Sequence, residues 1–72
     1  MSALLNTLYV TTEGAQLYKD HETVVVKVEG VKKLQVPLLH LSSMVCMGPM
    51  YVSPELMAAC CQAGIHIAFF SI

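Results

Sequence analysis

Residues 53–72 read SPELMAACCQAGIHIAFFSI and predict a short helix followed directly by a strand. Ser53 is a favourable N-cap residue, and Pro54 suits the first helical position, where no backbone N–H is needed. Gly64 can adopt the left-handed conformation that commonly ends a helix. We therefore expect a helix over about residues 54–63, and the alternating letters IHIAFF that follow it predict a strand.

Upstream of this stretch, residues 15–36 predict an antiparallel meander of three strands. The alternation is clearest in the middle strand, where Val24, Val26 and Val28 share one face and form its core side. Val25 falls on the opposite face together with polar and charged neighbours, so we expect that face to be solvated.

Two turns separate the strands of the predicted meander. Asp20 and His21 form a two-residue connection between the first and second strands, and the letters EGVKK at residues 29–33 form the next turn. Pro37 cannot donate a ladder hydrogen bond, so it ends the third strand or places that strand at a sheet edge.

The remaining strands flank this meander. NTLYVTT at residues 6–12 predicts a first strand, and the continuous apolar run at residues 44–47 predicts a strand covered on both faces. Gly48 and Pro49 interrupt the chain before the helix. The expected order is five strands, one helix and a final strand: an α+β, mainly β fold, as a small antiparallel sandwich-like domain.

The composition predicts that this chain buries apolar surface against something else. Of its 72 residues, 56% are hydrophobic and 12% charged, against roughly 45–50% and 25% in typical globular domains. A domain this small cannot bury that many apolar side chains within itself. We therefore expect a second copy or a further part of the chain to bury the remainder. The candidate contact residues are Met50, Tyr51, Phe69 and Phe70.

Charge and cysteine content narrow the functional class. The net charge is −1 and all four basic residues are lysines, so these residues lack the basic footprint of a nucleic-acid-binding domain. No apolar run approaches the roughly 18 residues of a membrane span, and the first ten residues lack a secretory pattern. Three cysteines, two of them adjacent, suit a reduced cytoplasmic protein.

The residue types that carry chemistry do not form a recognised motif. Cys60 and Cys61 have no CxxC or HxxxH spacing beside them, and buried small cysteines are the simpler interpretation. A hydrolase-like set lacks a nucleophile elbow; its members would be Asp20, His40, Ser42 and Ser43. The carboxylates lie at turns and outward positions. We therefore assign no catalytic, cofactor-binding or metal-binding residue.

Four segments occur in the order and spacing of a known family: LLNTLYVTTEGAQL at residues 4–17, ETVVVKVEG at 22–30, LQVPLLHLSSMVCMGP at 34–49 and VSPELMAACCQAGIHIAFFS at 52–71. Together they resemble the N-terminal β-domain of the CRISPR-associated integrase, the DNA endonuclease of spacer acquisition, and most closely its type I-C members. The resemblance covers essentially the whole chain.

This resemblance implies a longer parent protein of the prokaryotic cytoplasm, without a membrane segment. Residues 1–72 would be its N-terminal dimerisation and scaffold domain, a fragment without the helical catalytic domain. The parent would be a homodimer that uses Mg or Mn to cut or join DNA and works with a second CRISPR adaptation protein. This segment itself would bind no metal and have no nuclease activity.

Two alternatives remain open at this stage. A free-standing β-rich interaction module that self-associates, with no enzymatic activity, explains the apolar surplus equally well. A small metal-binding or redox module would rest on the three cysteines alone.

Overall fold

A computed structural model describes residues 2–4 and 6–71 and shows two four-stranded sheets with one α-helix. The described strands are β1 (Ser2–Leu4), β2 (Thr7–Val10), β3 (Gln16–Asp20), β4 (Thr23–Val28), β5 (Val31–Pro37), β6 (Ser43–Met47), β7 (Tyr51–Val52) and β8 (His66–Phe70). A 3₁₀ turn covers Leu38–His40, and the helix α1 covers Pro54–Ala63.

The strand order is β1-β2-β6-β8 in sheet 1 and β5-β4-β3-β7 in sheet 2. One hydrophobic core unites the inner faces of both sheets with one side of α1. Its fully buried large side chains are Leu8, Val10, Met44 and Cys46 from sheet 1, Leu17, Val24 and Val26 from sheet 2, and Leu56 and Cys60 from α1.

The mainly β fold with a single helix is confirmed, but antiparallel pairing holds for only part of it. The β3–β4–β5 meander and the β1–β2 pair are antiparallel. The pairs β2–β6, β6–β8 and β3–β7 are parallel. Parallel neighbours need a crossover connection, and here the meander connects β2 to β6 while α1 lies between β6 and β8 along the chain. Hydrophobic alternation carries no information about strand direction.

Two described strands were absent from the sequence-based prediction. β1 has three residues and β7 has two, and runs this short cannot show a period of two convincingly. β7 exists because Tyr51 and Val52 pair with Gln16 and Leu17 of β3. That pairing places the chain on sheet 2 immediately before the helix begins.

The predicted meander is confirmed, with its first turn shifted by one residue and its second turn shorter than predicted. β5 begins at Val31, so only Glu29 and Gly30 of residues 29–33 form the second turn. Asp20 pairs with Thr23, so His21 and Glu22 form the connection rather than Asp20 and His21. Pairing of Asp20 extends the β3–β4 ladder, and His21 takes the left-handed conformation at φ 54°. β5 lies at the edge of sheet 2 and ends at Pro37, as expected.

The outer face of β4 is less solvated than predicted. Val25 is only 5% exposed although it points away from the core. Its register partners are Tyr18 on β3 and Gln35 on β5, and these longer side chains flank the valine. Cross-strand neighbours therefore shield an apolar position that alternation assigns to solvent.

The prediction that β6 is covered on both faces is wrong for the described chain. Met44 and Cys46 are fully buried, whereas Val45 is half-buried and Met47 is 38% exposed. β6 lies between two parallel neighbours, β2 and β8. Its inner side faces the core, and no described element covers its outer side.

The helix has the predicted limits and caps. The Ser53 hydroxyl accepts a hydrogen bond from the Leu56 N–H at 3.1 Å, and Pro54 takes the first helical position. Gly64 has φ 72°, while the Gly64 N–H donates to the Cys61 carbonyl and the Ile65 N–H to the Cys60 carbonyl. This pair of bonds is the Schellman motif, so each end of the helix is capped by hydrogen bonds within the chain.

Candidate interaction surface

The cysteines and histidines do not assemble into a metal site. Among residues 2–4 and 6–71, no three His, Cys, Asp or Glu side chains are grouped so that they could hold a metal ion. Cys46 and Cys60 are buried, which agrees with their interpretation as small core residues, but Cys61 is exposed. Successive helical residues point about 100° apart, so only one of the adjacent pair can face the core.

Burial alters the chemistry of the two core cysteines. It raises the pKa of the Cys46 thiol, and the nearby Cys60 raises that pKa further. Burial likewise raises the pKa of Cys60. Both side chains are therefore held as neutral thiols, the form that is least nucleophilic and least able to bind metal.

Two residues of the hydrolase-like set, Asp20 and Ser43, have partners outside that set. The Ser43 hydroxyl lies 2.9 Å from the Thr7 hydroxyl, and the Asp20 carboxylate lies 2.7 Å from Nδ1 of His21. Ser42 is exposed immediately before β6. These contacts give no relay from an acid through a histidine to a serine.

The outer face of sheet 1 carries a continuous group of apolar side chains. Parallel register places Tyr9, Val45 and Ala68 side by side across β2, β6 and β8, with Met47 and Phe70 in the next row. Tyr9 is 37% exposed, Met47 38% and Phe70 54%. We call these five residues the outer patch; a row of Thr7, Ser43 and His66 borders it.

The four predicted contact residues lie in different places. Phe69 and Phe70 are exposed on β8, beside Gly48 and Pro49 in a groove of about 460 Å³. Tyr51 lies on sheet 2 against Tyr18, with ring centroids 5.6 Å apart. Met50 is half-buried against the core. They therefore do not form one surface.

Tyr9, Val45 and Met47 were not among the predicted contact residues. Their alternation along β2 and β6 shows only that they share a face of their own strand. Grouping them required the parallel register of β2, β6 and β8, which joins strands distant in sequence. Contacts between strands so far apart along the chain leave no local signal.

The outer face of sheet 2 is more polar than that of sheet 1. The Lys27 ammonium lies 5.6 Å from the centre of the Tyr18 ring. The Lys32 ammonium donates to the Gln35 side-chain carbonyl, and the Gln35 amide donates to the Thr23 hydroxyl. These polar contacts are exposed to solvent.

Within the described chain, no helix has the length and apolarity needed to cross a membrane.

Comparison with known proteins gives the family. The model of the family described as CRISPR associated protein Cas1 matches residues 8–72. CRISPR-associated endonuclease Cas1 2 of Rhodospirillum rubrum is 54% identical over 67 residues, which are 93% of this chain and 20% of the relative. CRISPR-associated endonuclease Cas1 1 of Moorella thermoacetica is 45% identical over 69 residues, 96% of this chain and 20% of the relative.

Solved structures share the fold. A CAS1 protein from Thermotoga maritima has a TM-score of 0.77 at 20% identity, covering 90% of this chain and 20% of that one. A chain of a partial Cas6-RT-Cas1–Cas2 complex has a TM-score of 0.78 at 15% identity, covering 88% of this chain and 20% of that one.

The chain spans about a fifth of the length of the curated relatives that it matches. The family match extends over most of its residues, and the two-sheet fold agrees with the family's solved structures. The chain therefore belongs to the family of the CRISPR-associated protein Cas1.

Proposed function

We propose that these residues form the N-terminal β-domain of a Cas1 endonuclease of CRISPR adaptation and act there as a scaffold without chemistry of their own. The observation that carries this proposal is the 54% identity to a named Cas1 endonuclease over 93% of this chain, which is only 20% of that relative. The remaining four-fifths of such a parent has ample length for a separate catalytic domain.

The finer features of the parent are part of the same proposal. We infer a type I-C homodimer in the prokaryotic cytoplasm that acts on DNA with Mg or Mn and assembles with a second adaptation protein. One of the fold neighbours is a chain of a Cas6-RT-Cas1–Cas2 complex, which supports Cas2 as that protein. The described residues offer no fitting metal ligands, so we assign no metal-dependent step to this chain.

A domain exchange tests the scaffold role. The matching segment of the Rhodospirillum rubrum relative is replaced by residues 2–71, and spacer acquisition by the exchanged protein is measured in cells. We expect acquisition close to that of the unmodified relative. A matched exchange carrying Leu56→Asp, which buries a charge in the core, should abolish it. Loss of acquisition in a stable, well-expressed unmodified exchange would contradict the proposal.

A nuclease assay tests the absence of chemistry. The purified 72-residue chain is incubated with duplex and branched DNA in Mg or Mn, with the full-length Rhodospirillum rubrum relative as a positive control. We expect cleavage by the relative alone. Metal-dependent cleavage by the short chain, abolished by substituting one of its own residues, would overturn the proposal. Self-association of the short chain, combined with loss of acquisition in the stable domain exchange, would favour the free-standing interaction module.

A further inference from the structure

The charged residues are unevenly divided between the two sheets. The described strands of sheet 1 contain no lysine, arginine, aspartate or glutamate. All four lysines lie on strands of sheet 2: Lys19 on β3, Lys27 on β4, and Lys32 and Lys33 on β5. The net charge of −1, which predicts no basic footprint for the chain as a whole, therefore conceals a concentration of positive charge on one sheet.

Three of these lysines line one groove of sheet 2. The groove measures about 500 Å³, and its lining includes Lys19, Lys27 and Lys32 together with Tyr18 and Asp20. Antiparallel register places Lys27 directly opposite Lys32. Like charges directly opposite each other on neighbouring strands are destabilising, and a negatively charged ligand relieves that repulsion. The groove therefore favours a ligand that carries several negative charges.

Two tyrosines on the outer face of sheet 2 add a second kind of contact. Tyr18 on β3 and Tyr51 on β7 have ring centroids 5.6 Å apart, and the Lys27 ammonium lies 5.6 Å from the centre of the Tyr18 ring. Tyr51 is 47% exposed, so its ring retains surface on which a planar group can stack. Lysines that hold a phosphate backbone, combined with aromatic rings that stack bases, characterise surfaces that bind single-stranded nucleic acid.

We propose that the outer face of sheet 2 binds single-stranded RNA. Some four-stranded sheets bind RNA by stacking two or three bases on their aromatic side chains, and sheet 2 has four strands with Tyr18 on an inner one. One base stacks on the tyrosine pair, and the neighbouring phosphates contact Lys27 and Lys32. A duplex keeps its base faces within its own stack, so it cannot use the tyrosines in this way.

Asp20 favours RNA over both DNA and an acidic peptide. Its carboxylate lines the same groove, where it repels phosphates and carboxylates. One oxygen of this carboxylate lies 2.7 Å from Nδ1 of His21, and the ribose 2′-hydroxyl can donate a hydrogen bond to the other. DNA and peptides lack this hydroxyl, by which proteins distinguish RNA from DNA. The inference does not require the proposed adaptation function, because all of its contacts lie within sheet 2.

Fluorescence anisotropy with the purified chain tests the class of ligand. The probe is a labelled ten-nucleotide single-stranded RNA of mixed sequence, compared with the same sequence as single-stranded DNA and as an RNA duplex. We expect the single-stranded RNA to bind about fivefold or more tightly than either, and a ten-residue polyglutamate peptide not to displace it. Absence of RNA binding, equal affinity for the DNA, or displacement by the peptide would overturn the proposal.

Tyrosine substitutions test the place of binding. Tyr51→Leu removes an exposed ring, and we expect it to weaken RNA binding about fivefold or more. Tyr9→Leu is the matched control, because it makes the same exchange on the outer face of sheet 1 at a residue that is 37% exposed. The control should bind RNA like the unmodified chain. Equal weakening by the two variants would overturn the assignment to sheet 2.

Substitutions of charged residues test the groove itself, with circular dichroism as the check that each variant folds. Lys32→Gln should weaken RNA binding and reduce the slope of log affinity against log salt by about 0.7, the loss expected for one phosphate contact. Lys33→Gln removes the same charge at a neighbour that is not among the residues lining the groove, and should retain that slope. Asp20→Ala should abolish the preference for RNA over DNA. Equal slopes for the two lysine variants, or an unchanged preference in Asp20→Ala, would contradict the proposed contacts.

Discussion

Glu29 is a local point of backbone strain. It has φ 51° and precedes Gly30, which has φ 77°, in the connection between β4 and β5. Two successive positive φ values suit the tight hairpin turn in which Asn-Gly is preferred. Glycine adopts this region freely, but glutamate lacks the short polar side chain that helps Asn and Asp do so. The hairpin forms because pairing of β4 with β5 outweighs that local cost.

We expect Glu29→Asn to raise the free energy of unfolding by about 0.5–1 kcal/mol, since asparagine adopts positive φ more readily. Urea denaturation monitored by circular dichroism measures the change. Glu22→Asn is the matched control: it removes the same charge in the neighbouring hairpin, at a residue without positive φ. Equal stabilisation by both variants would attribute the effect to charge rather than to backbone conformation.

At the scale of elements, α1 is anchored to the sheets by a narrow apolar stripe. Leu56 is fully buried and Cys60 is 1% exposed, whereas their neighbours Met57 and Cys61 are exposed. The helix has ten residues, a length at which isolated helices are marginal in water. Its stability therefore depends on its two caps and on this stripe rather than on intrinsic propensity.

Leu56→Ala should lower the free energy of unfolding by about 2–5 kcal/mol, because it removes buried methyl groups and leaves a cavity. Met57→Ala, at a neighbouring position that is 42% exposed, should cost less than about 1 kcal/mol. Denaturant unfolding at low temperature compares the two variants. Similar costs would show that the stripe does not anchor the helix as described.

At the scale of the whole molecule, the hydrophobic core contains two free cysteines, Cys46 from sheet 1 and Cys60 from α1. Burial raises the pKa of both thiols above the unfolded value, so the folded chain retains their protons more strongly than the unfolded chain does. The contribution of these two neutral thiols to the free energy of unfolding is fully present below the unfolded pKa of about 8.5. It is lost as the pH rises through the folded-state pKa values.

We therefore expect the free energy of unfolding to fall as the pH rises above about 8.5. Denaturation curves between neutral and alkaline pH, recorded under reducing conditions, measure this dependence. The double variant Cys46→Ala, Cys60→Ala should show a shallower fall, although it is less stable overall. Cys61→Ser should retain the original dependence because Cys61 is exposed. An unchanged alkaline slope in the double variant would refute this explanation.

Sequence-based prediction succeeded wherever the conformation depends only on residues close together in the chain. The helix limits, the Ser53 cap, the Gly64 stop and the core face of β4 all follow from residues a few positions apart, and the structure agrees with each. The family resemblance was also readable because it lies in the order of these local segments. The candidate contact residues were chosen by the same local reasoning, and the structure places them on separate surfaces.

By itself, the sequence determined the helix, the six longer strands, the apolar surplus and the family. Only the tertiary structure decided that β2, β6 and β8 lie parallel and which residues form the outer patch. It also decided that Val25 is shielded. The physical reason is that strand direction, register and cross-strand shielding are set by pairing between distant segments. Helix caps and alternation depend on neighbours only a few residues away.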